Sequence, residues 1–145
     1  MSSRSLITLG SLALVLGLTA PAAAQSAGLT SDPTSLLWGR QFTEWFYSAE
    51  VDSIFTRMDA DSQKETGSPA DMLKLLSEVQ QQGGIETDVI SEEVRPDTAV
   101  AGGYRYVRRV HFSNVPQFVV RLVWVINQER RIAGFGIRPE ESGGN

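Results

Sequence analysis

The sequence predicts an α+β domain in which N-terminal helices pack on a curved, four-stranded antiparallel sheet. Two observations carry this expectation. Ahead of Gly83-Gly84 the large apolar residues recur at helical spacing, and from Ile85 onward they alternate with a period of two and become β-branched and aromatic. Because the helical segments come first and the strands follow one another across short turns, the sheet is read as an antiparallel meander covered on one face.

The chain opens on a leader pattern. A single charge, Arg4, precedes the apolar run Leu6 to Leu18, and Ala22-Ala23-Ala24 follows just before Gln25. That is the order of a cleavable secretory signal peptide. The apolar run of 13 residues falls short of the about 20 that a membrane-crossing helix needs. Residues 1–24 are therefore expected to be the leader, 25–31 a flexible lead, 32–139 a single domain and 140–145 a frayed tail. The product is expected in the periplasm or the extracellular medium, with no membrane anchor. The chain has no cysteine, which excludes disulfides, thiol catalysis and thiolate metal sites.

Within the domain, Asp32 and Pro33 form an N-cap and first-position pair. Trp38, Phe42, Trp45, Phe46 and Ala49 then fall on one helical face, with Glu44 opposite. After a bend at Ser48 to Glu50, the spacing of Val51, Ile54, Phe55 and Met58 predicts a short second helix. Asp59 to Gly67 reads as a loop or one loose turn. Ser68-Pro69-Ala70-Asp71 opens a third helix with buried face Met72, Leu75, Leu76 and Val79, and Gly83-Gly84 ends it.

In the first strand, Ile85, Thr87 and Val89 share a side, and Ile90, Glu92 and Val94 share one after a phase flip. A bulge near Val89 follows. Pro96-Asp97 turns the chain. The next strand, about Val100 to Phe112, puts Tyr104, Tyr106, Arg108, Val110 and Phe112 on one face and Arg105, Val107, Arg109 and His111 on the other. Beyond Asn114-Val115-Pro116, a third strand from Phe118 to Ile126 alternates Phe118, Val120, Leu122, Trp124 and Ile126 against Val119, Arg121, Val123 and Val125. A last strand runs from Ile132 to Ile137 and stops at Pro139.

Charge is divided between the two halves. Glu44 to Asp97 holds 13 acidic and 4 basic residues, whereas Thr98 to Arg138 holds 1 acidic residue and 7 arginines. A helical half that is negative and a sheet half that is positive argue against a general nucleic-acid binder, which would be basic throughout.

Three stretches carry a family resemblance: Gln41-Phe42-Thr43-Glu44-Trp45-Phe46-Tyr47 with Val51-Asp52-Ser53-Ile54-Phe55, the helix start Gly67-Ser68-Pro69, and the closing Arg131-Ile132-Ala133-Gly134-Phe135-Gly136-Ile137-Arg138-Pro139. Over about Leu36 to Pro139 the chain resembles the nuclear transport factor 2-like, or cystatin-like, superfamily of α+β cones. It is similar in particular to a subgroup of unknown function found alone or ahead of serine-hydrolase domains. The resemblance implies the cone fold and is silent on activity, because such cones host enzymes, receptors and inert modules. Neither G-x-S-x-G nor S-x-x-K occurs, so the hydrolase chemistry of the fused relatives does not transfer.

Candidate sites follow from the strand faces. Arg108 shares the helix-facing side with tyrosines, where an unpaired guanidinium would cost several kcal/mol. It therefore needs Glu92 on the adjacent strand, an opening to water, or an anionic ligand. The last alternative makes Arg108, Tyr104, Tyr106, Trp124 and Trp45, with Glu92, the lining of a small pocket for an apolar or anionic ligand. On the other sheet face, Arg105, Arg109 and Arg121 beside Val107, Val119 and Val123 have the composition of a protein contact. Strand propensity alone also accounts for those valines. His111 is the only imidazole and is read as incidental.

The functional expectation is an exported, non-enzymatic binding or interaction module. It would form a homodimer or dock another exported protein through the arginine-valine face, and it needs no cofactor. The rival is a small acid-base isomerase or cyclase using Glu92 as base and Tyr104 or Tyr106 as donor. Bonding between Glu92 and Arg108, with no cavity beside the tyrosines, would count against that rival.

Overall fold

Residues 32–141 are described by the computed structural model. The leader expected over residues 1–24, the lead over 25–31 and the tail residues 142–145 lie outside the described residues. Among the described residues four helices precede the sheet: α1 (Pro33–Tyr47), α2 (Val51–Arg57), α3 (Ala60–Thr66) and α4 (Pro69–Gly83). The strands β1 (Glu86–Pro96), β2 (Tyr104–Phe112), β3 (Val120–Ile126) and β4 (Ile132–Pro139) form one antiparallel sheet in sequence order. This is the expected α+β arrangement.

The caps explain the helix borders. The Asp32 carboxylate accepts from the Thr34 N–H at 3.2 Å, and the Ser68 hydroxyl oxygen accepts from the Asp71 N–H at 3.3 Å. Helix α1 ends in a Schellman turn: Glu50 N–H bonds Trp45 C=O at 2.8 Å and Ala49 N–H bonds Phe46 C=O at 3.2 Å. Ala49 thus takes φ 60°, outside the helix and exposed, not on its buried face as its spacing suggested. Helix α3 replaces the expected loop. Asp59 caps it by accepting from Ser62 N–H at 2.9 Å, but its turns present no row of large apolar residues, so the sequence carried no helical period there.

Strand borders also move. Residues Val100 to Gly103 are turn, not strand, because Asp97 accepts from the N–H groups of Ala99 (2.8 Å) and Val100 (3.0 Å) and its own N–H bonds Gly103 C=O at 3.0 Å. Phe118 lies outside β3 and is exposed. Glu140 is no frayed end: its N–H bonds Val119 C=O at 2.7 Å, continuing the β3–β4 pairing.

One sheet face meets the helices. Val94, Tyr106, Leu122, Trp124, Ile126 and Ile132 pack with Phe42, Phe46, Ile54, Met58, Met72 and Leu76 in one core. Trp124 is fully buried, tilted against Phe135 at 4.3 Å, and its indole N–H donates to the Thr43 hydroxyl at 3.0 Å. A smaller cluster of Val110, Phe112 and Val120 sits beside the C-terminal end of α4. No helix among the described residues is long and apolar enough to cross a membrane.

Candidate functional site

The inner face of the sheet holds a chain of charged and phenolic groups. Glu92 and Arg108 are direct partners in the β1–β2 register, and Arg108 Nη1 donates to Glu92 Oε1 at 2.7 Å. The same oxygen accepts the Tyr106 hydroxyl at 2.5 Å. Arg40, from α1, donates to Glu92 Oε2 through Nη2 at 2.7 Å and Nε at 3.1 Å. On its other side Arg108 donates to Glu86, through Nη2 to Oε1 at 2.5 Å and Nε to Oε2 at 3.2 Å. Tyr47, seven residues along α1 from Arg40, closes the chain by donating to Glu86 Oε2 at 2.8 Å.

Sequence reading joined Arg108 to Glu92 and missed Glu86, Arg40 and Tyr47. A single phase flip in β1 sets Glu86 on the side opposite Glu92. The strand in fact has two irregularities, between Glu86 and Asp88 and between Val89 and Ser91, and the second flip returns Glu86 to the inner side. Ile85, just ahead of β1, and Val89 and Ile90, at its second irregularity, are exposed.

The other pocket candidates are not brought to this cluster. Tyr104 lies under the Arg130 guanidinium at 5.9 Å, and Arg130 in turn bonds Asp32 at 2.7 Å, tying the start of α1 to the β3–β4 turn. Trp124 is spent on Thr43, and Trp45 lines a shallow groove of about 460 Å³ with Thr56, Arg57 and Arg131. Further cavities among the described residues include a cleft of about 270 Å³ at Met58, Met72 and Phe135 and an apolar groove of about 180 Å³ over Phe112, Val120 and Ile137. Tyr104, Tyr106, Arg108, Glu92 and Trp124 line none of these.

Electrostatics fix the protonation of the network. Burial alone would raise the Glu92 carboxyl, but the hydrogen bonds from Arg40 and Tyr106 and the Arg108 charge outweigh it and hold it at about 2. Burial, reinforced by the bonded carboxylates, pushes the Tyr47 and Tyr106 hydroxyls well above the ordinary phenol range. Both tyrosines therefore stay protonated donors. A carboxylate so stabilised is a weak base at neutral pH, and both Glu92 oxygens already accept bonds.

The outer face carries no helix among the described residues. Arg109, Arg121 and Arg138 are directly opposed in register across β2, β3 and β4. Glu140 forks onto Arg109, accepting from Nε and Nη2 at 2.7 Å each, and stands 3.8 Å from Arg121. These bonds hold the Glu140 carboxyl below the ordinary carboxylate range. Arg105 is paired with Asp97 at 2.8 Å, and His111 Nδ1 lies 2.6 Å from Asp88. Val107 sits in register between Glu93 and Val123, flanked by Arg105 and Arg109, and is buried despite facing outward. The long side chains of Glu93, Arg105 and Arg109 flank it and keep water from it. Val119, Val123 and Val125 remain half-exposed. No protein-family model, no curated protein and no solved structure matches this chain, and its function must be read from its own residues.

Proposed function

We propose that this chain is an exported, non-enzymatic binding module that docks another exported protein through the outer face of its sheet, on a scaffold of the nuclear transport factor 2-like type. The leader pattern supports export, and the helix-first order followed by a four-strand meander supports the scaffold. The observation that carries the docking role is the row Arg109, Arg121 and Arg138, standing in register on a face that no described helix covers, beside half-exposed valines. Aliphatic floor with arginine above it is the composition of an interface core and its rim.

The inner network supports the non-enzymatic part, since its carboxylates are already bonded and serve the fold. The sign of the outer charge favours a partner over self-pairing. Two copies meeting face to face would set one arginine row against another, and like charges across an interface cost affinity.

Reversing two charges, Arg121→Glu with Arg138→Glu, is expected to abolish association with the partner recovered by the wild-type chain from the exported fraction of its own cells. Sedimentation velocity on the purified pair is the readout. Association unchanged in the double variant would overturn the docking role.

A further inference from the structure

We propose that the cleft at the end of the arginine row receives a carboxylate side chain from an acidic segment of the partner, and that Glu140 is the chain's own occupant of that seat, displaced on binding. This rests on the docking role of the outer face and names the chemistry that the face recognises.

Three directly opposed arginines repel one another, and such an arrangement persists where something anionic compensates it. Among the described residues the compensation is incomplete. Glu140 bonds Arg109 with both oxygens, reaches only to 3.8 Å from Arg121, and Arg138 has no ion-pair partner. Beside this unmatched charge lies a cleft of about 360 Å³ lined by Arg121, Arg138, Pro139, Glu140 and Glu141. The fork of Glu140 on Arg109 is itself a demonstration that the row has the planar, two-donor geometry a carboxylate fits.

The neighbouring surface selects the kind of anion. Val119, Val123 and Val125 share the face and remain half-exposed, which suits the aliphatic stems of a polypeptide more than the hydroxyl-covered surface of a glycan. Glu140 and Glu141 oppose any incoming anion while they stay in place. Once Glu140 leaves Arg109 that guanidinium also needs an anion, so the acidic partner supplies carboxylates to Arg109 as well as to Arg121 and Arg138. The built-in glutamate thus sets a threshold: a single weak anion does not displace it, a multivalent acidic segment does.

The test uses the full chain and a fluorescently labelled oligoglutamate peptide, with binding read by polarisation at low and at physiological ionic strength. Wild type is expected to bind weakly, Glu140→Gln about tenfold more tightly, and Arg138→Glu not at all, with circular dichroism showing each variant folded. Arg138→Gln serves as a second variant, expected to weaken binding without reversing charge. If Glu140→Gln binds no more tightly than wild type while Arg138→Glu still abolishes binding, the displacement is wrong and the docking face stands. If neither wild type nor Glu140→Gln binds the peptide, the acidic-segment assignment falls, whereas the docking role falls only with partner association that survives charge reversal. A heparin oligosaccharide of matched charge binding more tightly than oligoglutamate would overturn the carboxylate assignment in favour of a sulfated glycan.

Discussion

Replacing Arg108 with alanine is expected to lower the unfolding free energy by about 3 kcal/mol, whereas Arg40→Ala is expected to cost far less. The two arginines share the partner Glu92, and the contrast comes from burial. The Arg108 side chain is 17% exposed and lies between Glu86 at 15% and Glu92 at 16%, while Arg40 is 52% exposed. Without Arg108, Glu86 keeps only the Tyr47 hydroxyl and no cation, so a mostly dehydrated charge is left uncompensated. Without Arg40, Glu92 still has Arg108 and Tyr106, and water replaces the exposed guanidinium. Adding Glu86→Gln to Arg108→Ala is expected to recover part of the loss by removing the stranded charge. Urea unfolding at neutral pH gives the values. Equal, small losses at the two arginines would show that the inner chain of bonds contributes little to the fold.

Gly39→Ala is expected to destabilise by about 3 kcal/mol even though alanine is the better helix former by about 1 kcal/mol. Gly39 is buried in α1 where the helix crosses β2. A Cβ built there would lie 2.2 Å from Tyr106 Cγ and 2.7 Å from Tyr106 Cβ. The tyrosine cannot step aside, because its Cβ is fixed by the strand and its hydroxyl by Glu92. Helix and sheet must then separate along the row of core contacts that includes Phe42 and Trp124. A melting temperature equal to or above wild type would mean that α1 stands further from the sheet than described.

Much of this arrangement could be read in the residues. Asp32-Pro33 and Ser68-Pro69 gave helix starts because capping is local chemistry, and the change of period after Gly84 gave the sheet because side-chain alternation is imposed by the strand itself. The inward face of β2 and β3 followed from the same alternation, and with it the need of Arg108 for Glu92. What escaped depended on events that leave no periodic trace. Helix α3 is held by a cap and by its place against β4, where Asp59 N–H bonds Ile132 C=O at 2.9 Å. Glu86 turns inward only because β1 is irregular twice. Arg40 lies off the apolar row of its helix, is exposed, and reaches back to Glu92 with a long side chain. Pro139 marks the end of the last strand in the sequence and makes Glu140 read as tail, yet a proline at an edge position lets pairing continue past it.

The bonding of Glu92 ties it to the fold, and the proposed recognition is left to the outer arginines. The most direct test of that division is the titration of the Glu92 side chain followed by carboxyl-carbon NMR. The expected midpoint is about 2, against an ordinary value of 4.5. A carboxyl depressed in the folded state contributes stability that is fully present above the unfolded value and is lost as the pH falls through the folded one. Stability should therefore decline between about pH 5 and pH 2, by roughly 3 kcal/mol from this group. A Glu92 midpoint at or above 4.5 would contradict the account, because the carboxylate would then be free of its arginines and available as a base.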